Sequence, residues 1–403
     1  MTPDTAQAQT AEARKVPREG LAKDGGKGGG RRYGFVDLLR GFALVLMIET
    51  HVVNAYLPAV LRRGEFFFWL SFVNGLVAPS FLFASGFSLV LQARRKWEDW
   101  LRLGPAFRKQ MRRMGFILLV AYFIHLPDFG LRKFLAPHDQ AFWKQAFQVD
   151  ILQCIVVSLL AIDLLILLTR RREVFFWAAA AAGVAAALAT PWIWARDFTT
   201  HLHLFLAMFL NPHGASLFPL FPWISFVLAG SCVGHLFLNS IEKRADAGFM
   251  RRACYFGAAA IAFGWLARAV PLFSAWNQGY YRTSPLYVLV RLGCVVVLCA
   301  ALYTMEKRFG WVPGAIRLAG QESLLVYTLH LMLIFGILRG KGVAALLGLQ
   351  AGYVACFLMS AAIILLMLGL AVLWNRLKRN RPKLARAVLA GLVGIILLLF
   401  LLQ

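Results

Sequence analysis

Acidic residues are scarce in this chain: 19 Asp and Glu stand against 43 Lys and Arg over 403 residues, and charged residues of both signs make up only 15%. A water-soluble fold usually carries about a quarter. With 60% hydrophobic residues and a mean hydropathy of +0.66, that shortage excludes an ordinary soluble protein. Cysteine is sparse as well. The six, Cys154, Cys232, Cys254, Cys294, Cys299 and Cys356, all fall in apolar stretches and no two show a Cys-x-x-Cys spacing, which excludes a zinc knuckle and a secreted disulfide framework. There is no Gly-rich phosphate loop ending in Lys, no Gly-x-Ser-x-Gly elbow and no His-Glu-x-x-His, so those soluble chemistries have no support. No internal repeat is evident, which argues against a transporter built from paired inverted halves.

What is abundant is apolar length. At about twenty residues per crossing, the chain reads as an all-α polytopic membrane protein, a bundle of about 10–11 transmembrane helices. The expected spans lie near 35–56, 66–92, 115–131, 148–169, 174–194, 217–239, 253–273, 286–305, 320–338, 344–374 and 386–402. Residues 1–32, rich in Ala, Gly, Lys and Gln, have no apolar core and read as a disordered basic cytoplasmic tail, leaving 33–403 as the membrane domain.

The net charge of +24 could suggest nucleic acid, so its distribution decides. Roughly three-quarters of the Lys and Arg fall on the side of the N-terminus once the spans are threaded, the positive-inside pattern. It sets the N-terminus in and the C-terminus out, and no nucleic-acid partner is expected. The tail's basic residues can also meet anionic membrane lipid.

The first span is greasy enough to enter a membrane, yet it carries Asp37, Arg40, Glu49 and His51. Each ionisable group at mid-bilayer costs about 2.5–3.5 kcal/mol, so those tolerated there usually face a protein interior and serve a function. At about 100° and 1.5 Å per residue, Arg40 and His51 return to within roughly 20° of one face, about 16 Å apart. Asp37 is i,i+3 from Arg40 and suits holding its guanidinium. Glu49 lies on another face.

Other polar residues join these by topology. Asn74 sits near the outer end of the second span, with Ser85 and Gly86 in its inner half; small residues there serve close helix packing or close approach of a ligand. Arg112 and Arg113 open the third span, as anchors to lipid phosphates or as binders of a cytosolic ligand carrying several phosphates. His125 and Asp128 leave that span, and Asp150 and Gln153 begin the next. His201, His203 and His213 read as interfacial lining rather than a metal site, because no cysteine or ordered carboxylate joins them; no metal is expected. Arg268, Trp276 and Asn277, and Arg291 follow; His330 lies one helical turn from Tyr327 and could simply bridge helices by hydrogen bonds.

The result is two polar zones at opposite ends of one bundle: Arg40, Ser85 and the Arg112 group inward, and His51, His125, Asp150 and His330 outward or central. A transfer enzyme taking an activated group from the cytosol to an acceptor on the far side needs that arrangement. His51 is the natural general base or transient acyl carrier. A transporter or polysaccharide-export component using the same polar path without chemistry is the alternative.

These residues resemble a family. Asp37-Leu-Leu-Arg40-Gly41, followed by His51, is similar to the Arg-x10-His signature of the family-three membrane acyltransferases, and Phe83-Ala-Ser85-Gly86-Phe87 resembles their Ser-Gly-Phe segment. With Asn74-Gly-Leu, Asp150-Ile-Leu-Gln153, Phe221-Pro-Trp223 and Ser323-Leu-Leu-Val-Tyr-Thr-Leu-His330, the order is most similar to the heparan-α-glucosaminide N-acetyltransferase catalytic-domain family and its bacterial relatives, over about residues 32–340. The resemblance implies an acyl-CoA-dependent membrane O- or N-acyltransferase. Its donor would be acetyl-CoA or another acyl-CoA and its acceptor an extracytoplasmic carbohydrate or glycolipid amine or hydroxyl. Arg40, Ser85, Gly86, Arg112 and Arg113 would then meet the donor, Asn74, His125, Asp150 and Gln153 the acceptor, and His51, Arg40, Asp37 and His330 the chemistry. Where that family places a histidine just before Asn-Gly-Leu, this chain has Phe68-Trp-Leu-Ser-Phe-Val73, so His51 follows the wider pattern. The family's bacterial relatives point to the inner membrane; a monomer and a homodimer stay equally open.

Overall fold

The computed structural model describes residues 33–126, 130–270, 281–309, 313–336 and 350–402. The expected tail 1–32, Asp128, and Trp276 and Asn277 lie outside the described residues. In chain order the helices are α1 (Gly34–Tyr56), α2 (Gly64–Asn74), α3 (Val77–Arg95), α4 (Trp97–Leu101), α5 (Pro105–Ile124), α6 (Leu131–Leu135), α7 (Gln140–Ala146), α8 (Ile151–Thr169), α9 (Arg172–Trp194), α10 (Leu204–Ala207), α11 (Leu220–Glu242), α12 (Asp246–Ala267), α13 (Pro285–Phe309), α14 (Gly314–Gln321), α15 (Ser323–Phe335), α16 (Tyr353–Asn380) and α17 (Pro382–Leu402). Among the described residues there is no strand.

Among the described residues, seven helical stretches are long and apolar enough to cross a membrane, eight when α14 and α15 count as one broken span. The α2 and α3 pair forms one of them, Gly64–Arg95. The remaining expected spans are helical too, over α1, α5 and α12, at 23, 20 and 22 residues. They fall outside that apolar class and carry charge: Asp37, Arg40 and Glu49 on α1, the Arg108 to Arg113 run on α5, and Asp246, Arg251 and Arg252 on α12.

Helix α1 is the hub. It packs against α3, α13, α14, α15 and α16, and its apolar residues are covered on nearly every side, Leu38 and Val52 being 0% exposed. A helix apolar all round is stable only when enclosed. It ends because Pro58 disfavours helical backbone in the residue before it, and Leu57 is extended at φ −73°, ψ 121°.

Glycine lets three of the helix pairs approach backbone to backbone, Gly257 of α12 facing Gly293 of α13 in one of them. A Cβ on Gly86 of α3 would collide with the Val227 carbonyl of α11, and one on Gly230 of α11 would collide with the Phe83 carbonyl of α3. The same fit joins α1 to α14, where a side chain on Gly41 would strike the Ile316 carbonyl and one on Gly320 the Asp37 carbonyl. Between membrane helices no hydrophobic force draws surfaces together, so this close packing is what holds them.

The expected continuous span 320–338 is instead sharply bent. α14 and α15 meet at 88°. Gly320 presses α14 flat against the start of α1, while Glu322 at the corner takes a hydrogen bond from Lys378 and another, 3.4 Å long, from Asn375 of α16. The bend turns α15 toward α1 and α8, carrying Tyr327 and His330 inward.

Candidate active site

Two cavities open along the same face of α1. One, about 370 Å³, is lined by Arg40, Ser85, Ser88, Gln92, Gln110, Arg113 and Ser323 among its polar residues. The other, about 660 Å³, holds Thr50, His51, Asn54, Asn74 and Asp150, with Arg268, Arg282 and Arg291. Arg40 and His51, eleven residues apart, therefore line separate cavities from one helix, as a 100° step requires.

In the Arg40 cavity the guanidinium is held from both sides. Its Nη2 lies 3.2 Å from Asp37 Oδ1 and donates to Ser88 Oγ at 3.0 Å, while Gln321 of α14 donates to the other Asp37 oxygen at 3.0 Å. Asp37 thus fixes Arg40 without lining the cavity itself. Ser85 lines it but spends its proton on the Phe81 carbonyl of its own helix at 2.7 Å. Gly86 faces α11 and serves packing, and Arg112 is exposed away from the cavity that its neighbour Arg113 lines. Ser88 carried no sequence signal beyond being one turn from Ser85.

In the other cavity His51 is backed by a second imidazole, tilted against it from outside the lining. The rings of His51 and His330 have centroids 5.2 Å apart at 42°, and Phe335 meets His51 edge-on at 5.6 Å. His330 is fully buried, with Nδ1 2.8 Å from the Val326 carbonyl, so that nitrogen carries the proton. Its Nε2 is left as a buried acceptor with no hydrogen-bond partner among the described residues.

Asp150 ties three helices together. As the N-cap of α8 it accepts from the Ile151 amide at 2.7 Å, and Gln153 closes the capping box by accepting from the Asp150 amide at 3.2 Å. The Tyr327 hydroxyl of α15 donates to Asp150 Oδ2 at 2.8 Å, and His125 Nε2 at the end of α5 lies 3.1 Å from the same oxygen. His125 Nδ1 faces the Ala121 carbonyl at 2.9 Å, so both its nitrogens meet acceptors, the pattern of an imidazolium. His125 and Gln153 brace Asp150 from outside the cavity lining.

Three arginines in the His51 cavity make its wall cationic. Arg291 is 3% exposed, donates to the Phe72 carbonyl and lies over the Phe72 ring at 4.1 Å and the Tyr287 ring at 5.4 Å. Gly75 makes room for it, since a Cβ there would come within 2.7 Å of the guanidinium. That contact gives the Asn74-Gly75-Leu76 segment a physical role. Arg282 was not legible as a site residue because it lies in a single 3-10 turn, 281–283, ahead of α13, where no helical period marks a face.

Among the described residues no three metal-ligating side chains converge. His213 faces the Trp194 carbonyl at 2.8 Å, and His203 caps α10.

No curated protein matches the chain. A family model described as heparan-alpha-glucosaminide N-acetyltransferase, catalytic, matches residues 32–270, which takes in α1 to α12 with Arg40, His51 and Asp150 but not Tyr327 or His330. The match covers more than half of the chain, and with membrane-length helices around a paired-cavity site, the chain belongs to this family of membrane acetyltransferases.

Proposed function

We propose that this enzyme moves an acyl group, acetyl first, from acyl-CoA in the Arg40 cavity to a carbohydrate amine or hydroxyl in the His51 cavity. The carrying observation is that two cavities adjoin along one helix face, each with a few polar side chains set in a mainly apolar lining, a cationic, donor-rich group at one end and an imidazole at the other. Arg40, preset by Asp37 and Ser88, and Arg113 suit phosphate oxygens of the donor. In this reading the Arg40 cavity faces the cytosol of a bacterial cell, the N-terminus is inside, and the protein sits in the inner membrane.

His51 is the group placed to take the acceptor's proton. The acceptor oxygen or nitrogen bonds to the thioester carbonyl carbon, the carbon–sulfur bond breaks, and the proton passes through His51 to the CoA thiolate. His330, anchored on Val326, packs its ring against that of His51 and so limits the orientations His51 can take. A covalent acyl-His51 followed by transfer to the acceptor uses the same groups.

Free-thiol release from acetyl-CoA by detergent-purified protein, with a pool of amino sugars, tests this. The wild type is expected to release CoA, and His51→Ala to lower the rate by about 10²–10⁴-fold, the span of general acid–base catalysis. Full activity in a folded His51→Ala protein would remove the mechanism. No release with any acyl-CoA, while sugar still crosses the membrane in vesicles, would replace it with transport.

A further inference from the structure

Four side chains line both cavities: Met47 from α1, Phe81 from α3, Ile151 from α8 and Tyr327 from α15. Each comes from a different helix, and their exposures are 4%, 9%, 8% and 6%. Together they form a wall between the two cavities, apolar except for one hydroxyl. That hydroxyl is occupied, donating to Asp150 Oδ2 at 2.8 Å, and Asp150 caps the helix that carries Ile151. Two of the four members are thereby tied to each other.

Met47 lies one turn from His51 and two turns from Arg40, about 6 Å and 10 Å along the helix axis. A donor held at Arg40 and reaching for His51 therefore presents its acyl end at this layer. The wall offers methyl, methylene and ring surface and suits an acyl tail better than a sugar or a phosphate. Met47 is unbranched and adaptable, whereas Phe81 and the anchored Tyr327 ring are rigid.

Resting on the acyl-transfer reading, we infer that Met47, Phe81, Ile151 and Tyr327 form the constriction that the acyl group fills during transfer, and that their volumes set the longest acyl chain the enzyme accepts. The carbonyl carbon exchanges its bond to CoA sulfur for one to the acceptor oxygen or nitrogen, and the acceptor proton ends on the thiol. The acyl tail stays against the wall throughout.

The test is the ratio of thiol release from hexanoyl-CoA to that from acetyl-CoA, with butyryl-CoA between them, at a fixed acceptor. The wild type is expected to favour acetyl. Met47→Ala and Phe81→Ala should each raise the hexanoyl-to-acetyl ratio by about tenfold or more, the scale on which apolar pockets discriminate methylenes. Ile162→Ala, in the α8 core and off both cavities, should leave the ratio unchanged and so controls for a loosened bundle. The ratio is read within each protein, so partial loss of fold cancels. If neither truncation yields folded protein, Ile151→Val, which removes one methyl group, must still move the ratio the same way. An active wild type whose ratio no wall variant changes, or an Ile162→Ala shift as large as theirs, overturns the constriction alone. A wild type inactive with every acyl-CoA overturns the acyl-transfer reading and this inference with it.

Discussion

At the scale of single residues, Tyr327 has two separable jobs. Its ring belongs to the wall between the cavities, and its hydroxyl braces Asp150. Tyr327→Phe keeps the ring and deletes the hydroxyl, leaving Asp150 with His125 and the Ile151 amide. The expected loss is about 1–2 kcal/mol of stability, read as a lowered melting temperature in detergent, with the hexanoyl-to-acetyl ratio unchanged. A ratio that moved with the hydroxyl would mean that polarity, not volume, governs the wall. Much of this scale was open to sequence reasoning. The i,i+3 relation of Asp37 and Arg40 foretold their pairing, and the eleven-residue spacing put Arg40 and His51 on one face. Ser88, Met47 and Phe81 were not legible, because helical period fixes the face of a residue but not which neighbour closes the space opposite.

At the scale of elements, the seam between α3 and α11 depends on hydrogen atoms where other residues have methyl groups. Gly86→Ala or Gly230→Ala pushes a methyl into a carbonyl of the facing backbone, which cannot retreat as a flexible side chain would. Overpacking of this kind costs about 1–3 kcal/mol. Each variant should melt below the wild type, while Gly369→Ala, with open space around it on α16, should not. Equal melting of all three would show that the seam relaxes freely. The sequence offered Ser85-Gly86 as either a ligand approach or helix packing, and the neighbour that decides between them lies 141 positions further on, at Val227. The corner between α14 and α15 was hidden for the same reason. Its local sequence, Gly-Gln-Glu-Ser, contains no proline, and the partners that hold Glu322 reside on α16.

At the scale of the molecule, each expected span coincides with helix among the described residues, and for eight of them hydropathy alone was enough, since about twenty apolar residues leave few alternatives. The charged helices α1, α5 and α12 were recognisable only by length and by the chain's need to cross between its neighbours. Orientation is the whole-molecule prediction. In the proposed orientation, with basic loops retained on the cytosolic side, alkaline phosphatase fused after residue 403 should be active in the periplasm, and a fusion in the loop between α8 and α9, which bears Arg170 and Arg171 next to Arg172 of α9, should be inactive. The reverse pattern would place the Arg40 cavity outside and remove its access to cytosolic donor. The thin apolar wall has an electrical side as well. In the acyl-transfer reading, with one cavity open to each side of the membrane, it is the layer across which most of a membrane voltage falls. Carrying one elementary charge through 100 mV involves about 2.3 kcal/mol. In that reading the acyl group passes the layer one way while the acceptor proton passes it the other way to the thiolate, so a completed turnover carries no net charge, and the carrier's phosphates stay on their own side. The equilibrium extent of acyl transfer in sealed proteoliposomes should therefore not depend on membrane potential.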